Sequence, residues 1–252
     1  MKVNEVTDYI KQYFQHVETI SKRVLDTQYD RIIEAANSFS ESIKNGNTIH
    51  VFGASHAGII AEELFYRTGG LAVINPILNP TLMLNTRPVT LTSQMERLNG
   101  FGKEIFQSTA AKAGDTILIH SVSGRNSVSV DIALAAKERG LTTIGLTNMT
   151  YSSKVSSRHS SGKNLYEVVD IVIDNCGDFE DSSMLLEGMD QKIGPTSTAI
   201  GALIVNAIVI ATVDNLIKAG ITPPVFHSAN VDGGDEFNKK VLEENKHNIH
   251  YM

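Results

Sequence analysis

The chain has 252 residues, of which 42% are hydrophobic and 20% charged, and its net charge is −6 at neutral pH. These values are typical of a globular protein with one sizeable core. The acidic balance, with no run of Lys or Arg, argues against nucleic acid and anionic membranes as partners. No apolar stretch approaches the roughly 18 residues of a membrane span, so we expect no membrane segment.

A single cysteine, Cys176, excludes an internal disulfide. The first residues lack the apolar segment of a signal peptide. We therefore expect a cytoplasmic protein, in which Cys176 is a small core residue after a strand rather than a nucleophile.

The first 46 residues predict a helical extension made of two helices. Apolar residues recur at helical spacing in two stripes, from Tyr9 to Val24 and from Ile32 to Ile43, and Gly46 ends the second. Positions 1–45 carry six basic and seven acidic residues, so this is not a basic DNA-binding module. We expect the extension to pack against the rest of the chain or against a second copy.

A buried strand is predicted from Thr48 to Phe52, and a helix from Ile59 to about Thr68. Between them lie Gly53 and Ser55, where a dinucleotide-binding loop would have two glycines in the pattern Gly-x-Gly. The next predicted strand, Leu71 to Ile74, is not followed by the acidic residue that holds a ribose. We therefore predict no nicotinamide or flavin cofactor.

Two side chains near this loop have the chemistry of acid/base catalysis. His56 follows the strand, at the sheet edge where open α/β sheets bind ligands. Glu63 lies four residues before Arg67, a spacing that favours a surface ion pair, but its carboxylate is also a candidate general base. Glu62 points about 100° away from Glu63 around the helix, so the two cannot both face one site.

Residues 75–88 predict a loop with a short apolar insert, in which two Asn-Pro pairs favour turns. The segment from Met95 to Gly102 is polar and contains glycines. We interpret it as a solvated turn, with the alternative that Glu96 or Arg97 reaches a neighbouring subunit's site. A helix from Lys103 to Ala113 follows.

The chain is organised around the stretch from Asp115 to Thr147. It predicts a strand from Thr116 to His120, a short polar loop, a helix up to Gly140 and a second strand from Leu141. A strand, helix and strand of this length form a right-handed βαβ unit with parallel strands. The loop then lies at the amino end of a helix, where free N–H groups and the helix dipole favour an anion.

The loop itself is rich in hydrogen-bond donors. It contains Ser121, Ser123 and Ser127, and Gly124 permits the close approach of a ligand. Serines also cap helices, but three serines, one Asn and one Gly in seven residues exceed what one cap requires. We therefore predict that the loop binds a phosphate or a phosphoester.

The same stretch resembles the SIS (sugar isomerase) family of phosphosugar-binding domains. The resemblance rests on Ser-x-Ser-Gly, a further Ser/Thr, a helix, Ala-Lys-x-x-Gly, a strand and a closing Thr. The matching positions are Ser121, Ser123, Gly124, Ser127, Ala136, Lys137, Gly140 and Thr147. The loop is one residue longer than the usual pattern, because both Arg125 and Asn126 precede Ser127. The resemblance implies that the three serines and the amides of Gly124 to Asn126 bind phosphate.

Three segments follow the second strand. Residues 148–161 form a Ser-rich loop, which is either a lid or simply mobile. Val168 to Asp174 is the last buried strand. The acidic residues within 177–190 match no metal-binding spacing, so we predict a solvated loop beside the site and no metal.

Gly194 to Thr198 starts a strongly apolar helix. Nearly all-round hydrophobicity indicates burial between the sheet and a partner subunit, so we expect at least a homodimer. The SIS resemblance implies that the hydroxyls at the helix start reach the ligand, namely those of Thr196, Ser197 and Thr198. It also implies that Gly53 and Ser55 help to hold the sugar beside the phosphate loop.

The tail combines turns with His227, Asn230 and Asp232. Together with the Gly-Ala-Ser-His, Glu-Leu-Phe-Tyr-Arg-Thr-Gly-Gly and Gly-Pro-Thr-Ser-Thr segments, it resembles a UPF0309-like, phosphoheptose-isomerase-like subgroup of SIS proteins. This resemblance covers nearly the whole chain. His227 is either a turn-forming polar residue or a contact to the ligand or the dimer partner, and we include it among the acid/base candidates.

We predict an α/β fold, a three-layer αβα sandwich with a five-stranded, mostly parallel sheet in flavodoxin-like order, preceded by the N-terminal helices. The expected parts of this single structural unit are a helical extension (1–46), a SIS domain (47–220) and a site-capping tail (221–252). The leading functional hypothesis is an aldose–ketose isomerase of a small-molecule sugar phosphate, with Glu63, His56 and His227 as acid/base candidates. The alternatives are a non-catalytic phosphosugar sensor and an amino-sugar-phosphate lyase or etherase.

Overall fold

The structure is a computed structural model that describes residues 3–252. Its strands are β1 (Ile49–Gly53), β2 (Ile74–Pro76), β3 (Thr116–His120), β4 (Thr142–Thr147) and β5 (Ile171–Asp174). Its helices are α1 (Val3–Lys44), α2 (Gly58–Leu64), α3 (Thr90–Met95), α4 (Phe101–Gln107), α5 (Ser127–Glu138), α6 (Met149–Ser152), α7 (Ser197–Lys218) and α8 (Gly234–Glu244).

The strands form one parallel sheet in the order β2-β1-β3-β4-β5, which confirms the predicted flavodoxin-like order. The strand order reverses between β1 and β3, because β2 lies outside β1 whereas β4 and β5 lie beyond β3. Open α/β sheets bind their ligands at the carboxyl ends of the strands at such a point. The predicted phosphate loop follows β3 and therefore lies there.

Each face of the sheet has its own core, as the alternation of side chains along a strand requires. Leu118 of β3 packs in the core that the sheet forms with α1, α2 and α7. Its neighbours Ile117 and Ile119 pack in the opposite core, with α4 and α5. The predicted three-layer sandwich is confirmed.

The N-terminal extension is one helix of 42 residues, so the prediction of two helices is wrong. No Gly or Pro separates the two apolar stripes, and helix propensity therefore carries the helix through. The buried positions continue in phase from Ile20 and Val24 to Ile32 and Phe39. One continuous apolar face results, and it packs against α7 and the sheet.

Helix α7 is long and apolar enough, by length and composition alone, to cross a membrane, so the expectation that no stretch reaches that size is wrong. One face buries Ile200, Ile204 and Ile208 in the core with α1 and α2. Within one chain α7 is therefore buried on one face, whereas the sequence predicts burial on nearly all sides. The other face leaves Leu203, Ile210 and Ile217 exposed by 49%, 71% and 60%.

Four other elements differ in extent from the prediction. Strand β2 spans Ile74–Pro76 rather than Leu71 to Ile74, and β5 begins at Ile171 rather than Val168. Helix α2 ends at Leu64 rather than near Thr68, because Phe65 is extended and Tyr66 takes a positive φ of 47°. Helix α4 starts earlier than predicted, after Gly100 in the left-handed conformation, and it stops at Gln107.

The tail packs beside β2 rather than over the carboxyl ends of the strands. The N–H of Gly69 donates to the carbonyl of Phe226 (2.9 Å), and that of Ala72 donates to the carbonyl of Pro224 (2.8 Å). After α8, the side-chain oxygen of Asn75 accepts the N–H of His250 (2.6 Å). Within one chain the predicted site-capping arrangement of residues 221–252 is therefore not present.

Candidate functional site

The loop from Ser121 to Ser127 is fixed by its neighbours. The hydroxyl of Thr147, at the end of β4, donates to the carbonyl oxygen of Ser121 (2.7 Å). Gly124 has a φ of +63°, and a Cβ built on it would lie 2.6 Å from the Oγ of buried Ser152. The loop therefore requires glycine at position 124. The hydrogen bond from Thr147 fixes the start of the loop to the end of β4.

The loop leaves several main-chain donors unused. Among the described residues, the N–H groups of Gly124, Arg125 and Asn126 donate no hydrogen bond. In contrast, the N–H of Val128 in the first turn of α5 donates to the carbonyl of Glu96 (3.2 Å). The donors available to an anion are thus mainly those of the loop, just before the helix.

A cleft of about 410 Å³ opens in front of these donors. It is lined by six predicted site residues: Ser55, His56, Ser121, Ser123, Arg125 and Asn126. Ser127 is fully buried, and its hydroxyl donates to the carbonyl of Arg158 (3.1 Å). Its hydroxyl is therefore not directed at a ligand in this arrangement.

The cleft is also lined by polar and charged residues that the sequence did not assign to it: Ser93, Glu96, Arg97, Tyr151, Arg158 and Asp181. Residues 96–100 form the largely exposed turn that the sequence predicts, and within it Glu96 and Arg97 line the cleft of their own chain. They come from a segment without helical or strand periodicity, so no sequence pattern could locate them. The bond from Val128 to the carbonyl of Glu96 places this segment against the phosphate loop.

Asn126 connects the loop to two charged side chains. Its Nδ2 donates to Oε2 of Glu96 (2.6 Å), and its Oδ1 accepts a hydrogen bond from Nη1 of Arg158 (2.8 Å). Burial raises the pKa of Glu96, while the Asn126 hydrogen bond and the nearby Arg97 oppose this shift. A carboxyl group with a raised pKa in a cleft is a candidate for acid/base chemistry.

Comparison with known proteins decides the family. The sequence profile of the SIS domain matches residues 12–148. A UPF0309 protein from Shouchella clausii is 49% identical over 244 residues, which cover 97% of this chain and 99% of that protein. The chain belongs to the SIS-domain family.

Two solved structures share the SIS fold at low identity. A phosphoheptose isomerase from Francisella tularensis aligns with a TM-score of 0.55 and 15% identity, over 82% of this chain and 97% of that one. A phosphoheptose isomerase from Neisseria gonorrhoeae aligns with a TM-score of 0.54 and 15% identity, over 84% of this chain and 99% of that one. At this identity the likeness confirms the fold alone.

In this SIS domain a buried histidine, His120, lies directly beneath the phosphate loop. Its Nδ1 lies 3.1 Å from the carbonyl oxygen of Ala57, and its Nε2 has no hydrogen-bond partner among the described residues. Burial lowers the pKa of His120 to about 4, against the opposing effects of Ala57 and Asp181. The imidazole is therefore neutral at pH 7. The sequence predicts His120 only as the last residue of a buried strand and does not assign it to the site.

The start of α7 is already occupied by a carboxylate of the chain. Asp181 accepts hydrogen bonds from the N–H groups of Thr196 (3.2 Å) and Ser197 (3.0 Å) and from the Ser197 hydroxyl (2.5 Å). Asp181 also lines the cleft. The acidic stretch after β5 is therefore more than a solvated loop, because it supplies the anion at this helix start. Thr198 is half-buried and does not line the cleft.

Glu63 and His227 do not line the cleft of their own chain. Glu63 forms an ion pair with Arg67 and accepts a hydrogen bond from Nδ2 of Asn206 on α7 (2.8 Å). His227 stacks on Phe237, with ring centroids 3.9 Å apart, in a separate cavity beside α8. Glu62, rather than Glu63, faces a smaller neighbouring cavity.

That neighbouring cavity, of about 220 Å³, also involves Gly53 and Ser55. Gly53 is required because a Cβ there would lie 2.2 Å from the carbonyl oxygen of Ala57. Ser55 borders both cavities and takes a positive φ of 56°. The strained turn after β1 thus places Ser55 between the two cavities.

The Ser-rich loop is held against the phosphate loop. The N–H of Arg158 donates to the carbonyl of Arg125 (2.8 Å), and Nε of Arg125 donates to the carbonyl of Ser156 (3.0 Å). The side-chain amide of Asn164 donates to two carbonyls within the Ser-rich loop. In this arrangement the Ser-rich loop is thus hydrogen-bonded to the phosphate loop and within itself. Among residues 8–252, no group of three His, Cys, Asp or Glu side chains is arranged to hold a metal ion.

Proposed function

We propose that this SIS-domain protein binds a sugar phosphate in the cleft between the loops that follow β1 and β3. The phosphate is bound by the hydroxyls of Ser121 and Ser123 and by the N–H groups from Gly124 to Asn126. The observation that carries this proposal is the row of main-chain donors without a partner beside serines that line the cleft. The two phosphoheptose isomerases of the same fold support this ligand class.

We further propose that the protein isomerises its ligand. Moving a proton between adjacent carbons requires a group that both accepts and returns it, and such a group works best with a pKa near the working pH. Glu96 and His56 are acid/base side chains that line the cleft, and the pKa of Glu96 is raised. Glu63 and His227 stay sequence-based predictions, which would require a second copy to reach a ligand.

A specific observation favours the second candidate, a phosphosugar sensor without turnover. Two of the three acid/base residues predicted from the sequence, Glu63 and His227, lie outside the cleft. A site with the phosphate loop intact and the catalytic groups elsewhere binds its ligand and releases it unchanged. A lyase or etherase would use the same loop with one carboxylate.

We also propose a cytoplasmic homodimer. The exposed face of α7 presents Leu203, Ile210 and Ile217 at seven-residue intervals, as helices that pair with another copy do. The exposed Phe14 of α1 adds to the apolar surface. Ile210→Glu should convert the oligomer to monomer in size-exclusion chromatography with light scattering. Lys218→Glu on the same helix, whose side chain is exposed, is the control, and an unchanged mass for Ile210→Glu contradicts this interface.

One experiment separates enzyme from sensor. The protein is mixed with a panel of sugar phosphates, binding is followed by isothermal titration calorimetry, and each mixture is then followed by NMR. Conversion of a bound aldose phosphate to a ketose phosphate supports the isomerase. Binding with an unchanged ligand supports the sensor, cleavage products support the lyase, and no binding at all contradicts the proposed function.

A further inference from the structure

We infer that one wall of the cleft, formed by Arg97, Arg125 and Arg158 and here called the arginine wall, binds a second anionic group of the ligand. The preferred ligands are therefore sugar phosphates that also carry a carboxylate or a second phosphate. This inference rests on the proposed function and specifies its substrate class.

The arginine wall brings together three guanidinium groups from three separate segments. Arg97 lies between α3 and α4, Arg125 belongs to the phosphate loop, and Arg158 belongs to the Ser-rich loop. Among the described residues, none of the three forms a salt bridge with a carboxylate. Neutral groups orient two of them, since Arg125 donates to Ser156 and Arg158 to Asn126.

This cationic charge is only partly balanced inside the cleft, where three guanidinium groups face two carboxyl groups, those of Glu96 and Asp181. Burial, and then the positive charges of Arg125 and Arg97, lower the pKa of Arg158, so the three groups repel one another. Of the two carboxyl groups that line the cleft, Glu96 offsets part of the charge of Arg97 and Arg158, and both carboxyl groups also accept hydrogen bonds from neutral groups. Asp181 accepts three hydrogen bonds at the start of α7, and Glu96 is bound by Asn126 with a raised pKa. An anion entering the cleft removes this repulsion.

The phosphate of the ligand does not need the arginine wall. Main-chain N–H groups and two serine hydroxyls already supply its donors on the loop. If the part of the sugar away from the phosphate were neutral, the guanidinium groups would contact only its hydroxyl groups. A guanidinium presents paired N–H donors that match the two oxygens of a carboxylate or a phosphate, so a second anion is the complementary group.

The test compares pairs of related sugar phosphates in which one member carries a second anionic group. One pair is glucose 6-phosphate and 6-phosphogluconate, and the other is fructose 6-phosphate and fructose 1,6-bisphosphate. Isothermal titration calorimetry should find that the doubly anionic member of at least one pair binds roughly tenfold more tightly or better. The first pair tests a carboxylate as the second anion, and the second pair tests a phosphate.

Arg97→Gln should remove most of that preference, because it should weaken the binding of the doubly anionic ligand much more than the binding of the monophosphate. Arg97 is exposed and its side chain makes no hydrogen bond among the described residues, so the variant should fold, as its circular dichroism melt will verify. Arg97→Lys keeps the charge without the paired donors and should retain part of the preference. Lys163→Gln, which removes an exposed positive charge outside the cleft, should retain all of it.

Equal affinities within both pairs, or a preference that survives in Arg97→Gln, would overturn the inference. If the monophosphates bind and Ser123→Ala weakens them, the proposed function stands while the inference falls. If no sugar phosphate of either kind binds, both fall together.

Discussion

The side-chain amide of Asn126 holds the carboxylate of Glu96 at 2.6 Å. Asn126 belongs to the phosphate loop, and it is one of the two residues that make this loop longer than the usual SIS pattern. The additional residue therefore couples the phosphate loop to the carboxyl group nearest to it. This coupling makes Glu96, rather than Glu63, the first choice for the acid/base group of the cleft.

For a sugar phosphate that the protein converts, Glu96→Gln should lower kcat by roughly 10²- to 10⁴-fold and leave Kd nearly unchanged. Glutamine keeps the acceptor for Asn126 but cannot take up a proton. Turnover is measured by NMR and binding by calorimetry. Glu63→Gln is the matched variant, and it should retain turnover. The opposite result, with Glu63→Gln inactive and Glu96→Gln active, would mean that a second copy completes the site.

Ser123→Ala should weaken the binding of a sugar phosphate by roughly tenfold or more, because a hydrogen bond to a charged group contributes about 1.5–3 kcal/mol. Ser127→Ala should leave binding nearly unchanged, since its hydroxyl donates to Arg158. It should instead lower the free energy of unfolding by about 1 kcal/mol. Calorimetric titration and denaturant unfolding measure the two effects. Equal losses of affinity in both variants would contradict the observed orientation of Ser127.

Gly124→Ala should destabilise the fold more than Gly162→Ala. Both glycines have positive φ, but nothing lies within 4 Å of a Cβ at Gly162, whereas one at Gly124 meets Ser152. Gly162→Ala should lower the free energy of unfolding by about 1 kcal/mol, the backbone effect alone. Gly124→Ala should add at least about 1 kcal/mol from overpacking and also abolish binding. Urea unfolding of both variants checks this, and equal losses would refute it.

The buried neutral His120 makes stability depend on pH. Its folded-state pKa is about 4 against an ordinary value of 6.5, so between these values the unfolded chain binds a proton that the folded chain does not. Stability from this group is present above pH 6.5 and is lost as the pH falls toward 4, by up to about 3 kcal/mol. Denaturant unfolding at about pH 7.5 and about pH 4.5 should give a smaller difference for His120→Gln than for the unmodified protein. His247→Gln, which changes an exposed side chain, should keep the full difference, and a full difference in His120→Gln as well would exclude this role.

Local patterns were sufficient for most of the fold. The βαβ unit, the sheet order and the glycine of the phosphate loop follow from strand runs, helical spacing and turn chemistry, and they are confirmed. The break predicted in α1 is wrong, because the gap between the two stripes contains no Gly or Pro to end a helix, and its apolar residues Leu25 and Tyr29 lie on the exposed face. Nothing in the sequence marked the end of α2 at Leu64, where Tyr66 takes a positive φ.

Only some of the residues that line the cleft could be predicted from the sequence. Residues of the two loops that follow β1 and β3 could be placed because the carboxyl ends of adjacent parallel strands meet. Glu96 and Arg158 could not, since they come from irregular segments whose positions depend on tertiary hydrogen bonds. Tyr151 could not either, because it lies in α6, a short helix inside the predicted Ser-rich loop. Ser127 matched the motif by residue type, and only its bond to Arg158 shows that its hydroxyl is already used.

The hydrogen bonds between Arg125 and the segment from Ser156 to Arg158 run in both directions, from main chain and side chain alike. These bonds therefore join the two loops into one structural unit, although an entire helix and strand separate them in sequence. An insertion, a cleavage or a bulky label near Ser156 should therefore change the conformation of the phosphate-binding loop, although Ser156 lies outside that loop. Slowed amide exchange on ligand addition should accordingly spread to the Ser-rich loop, far beyond the atoms in direct contact.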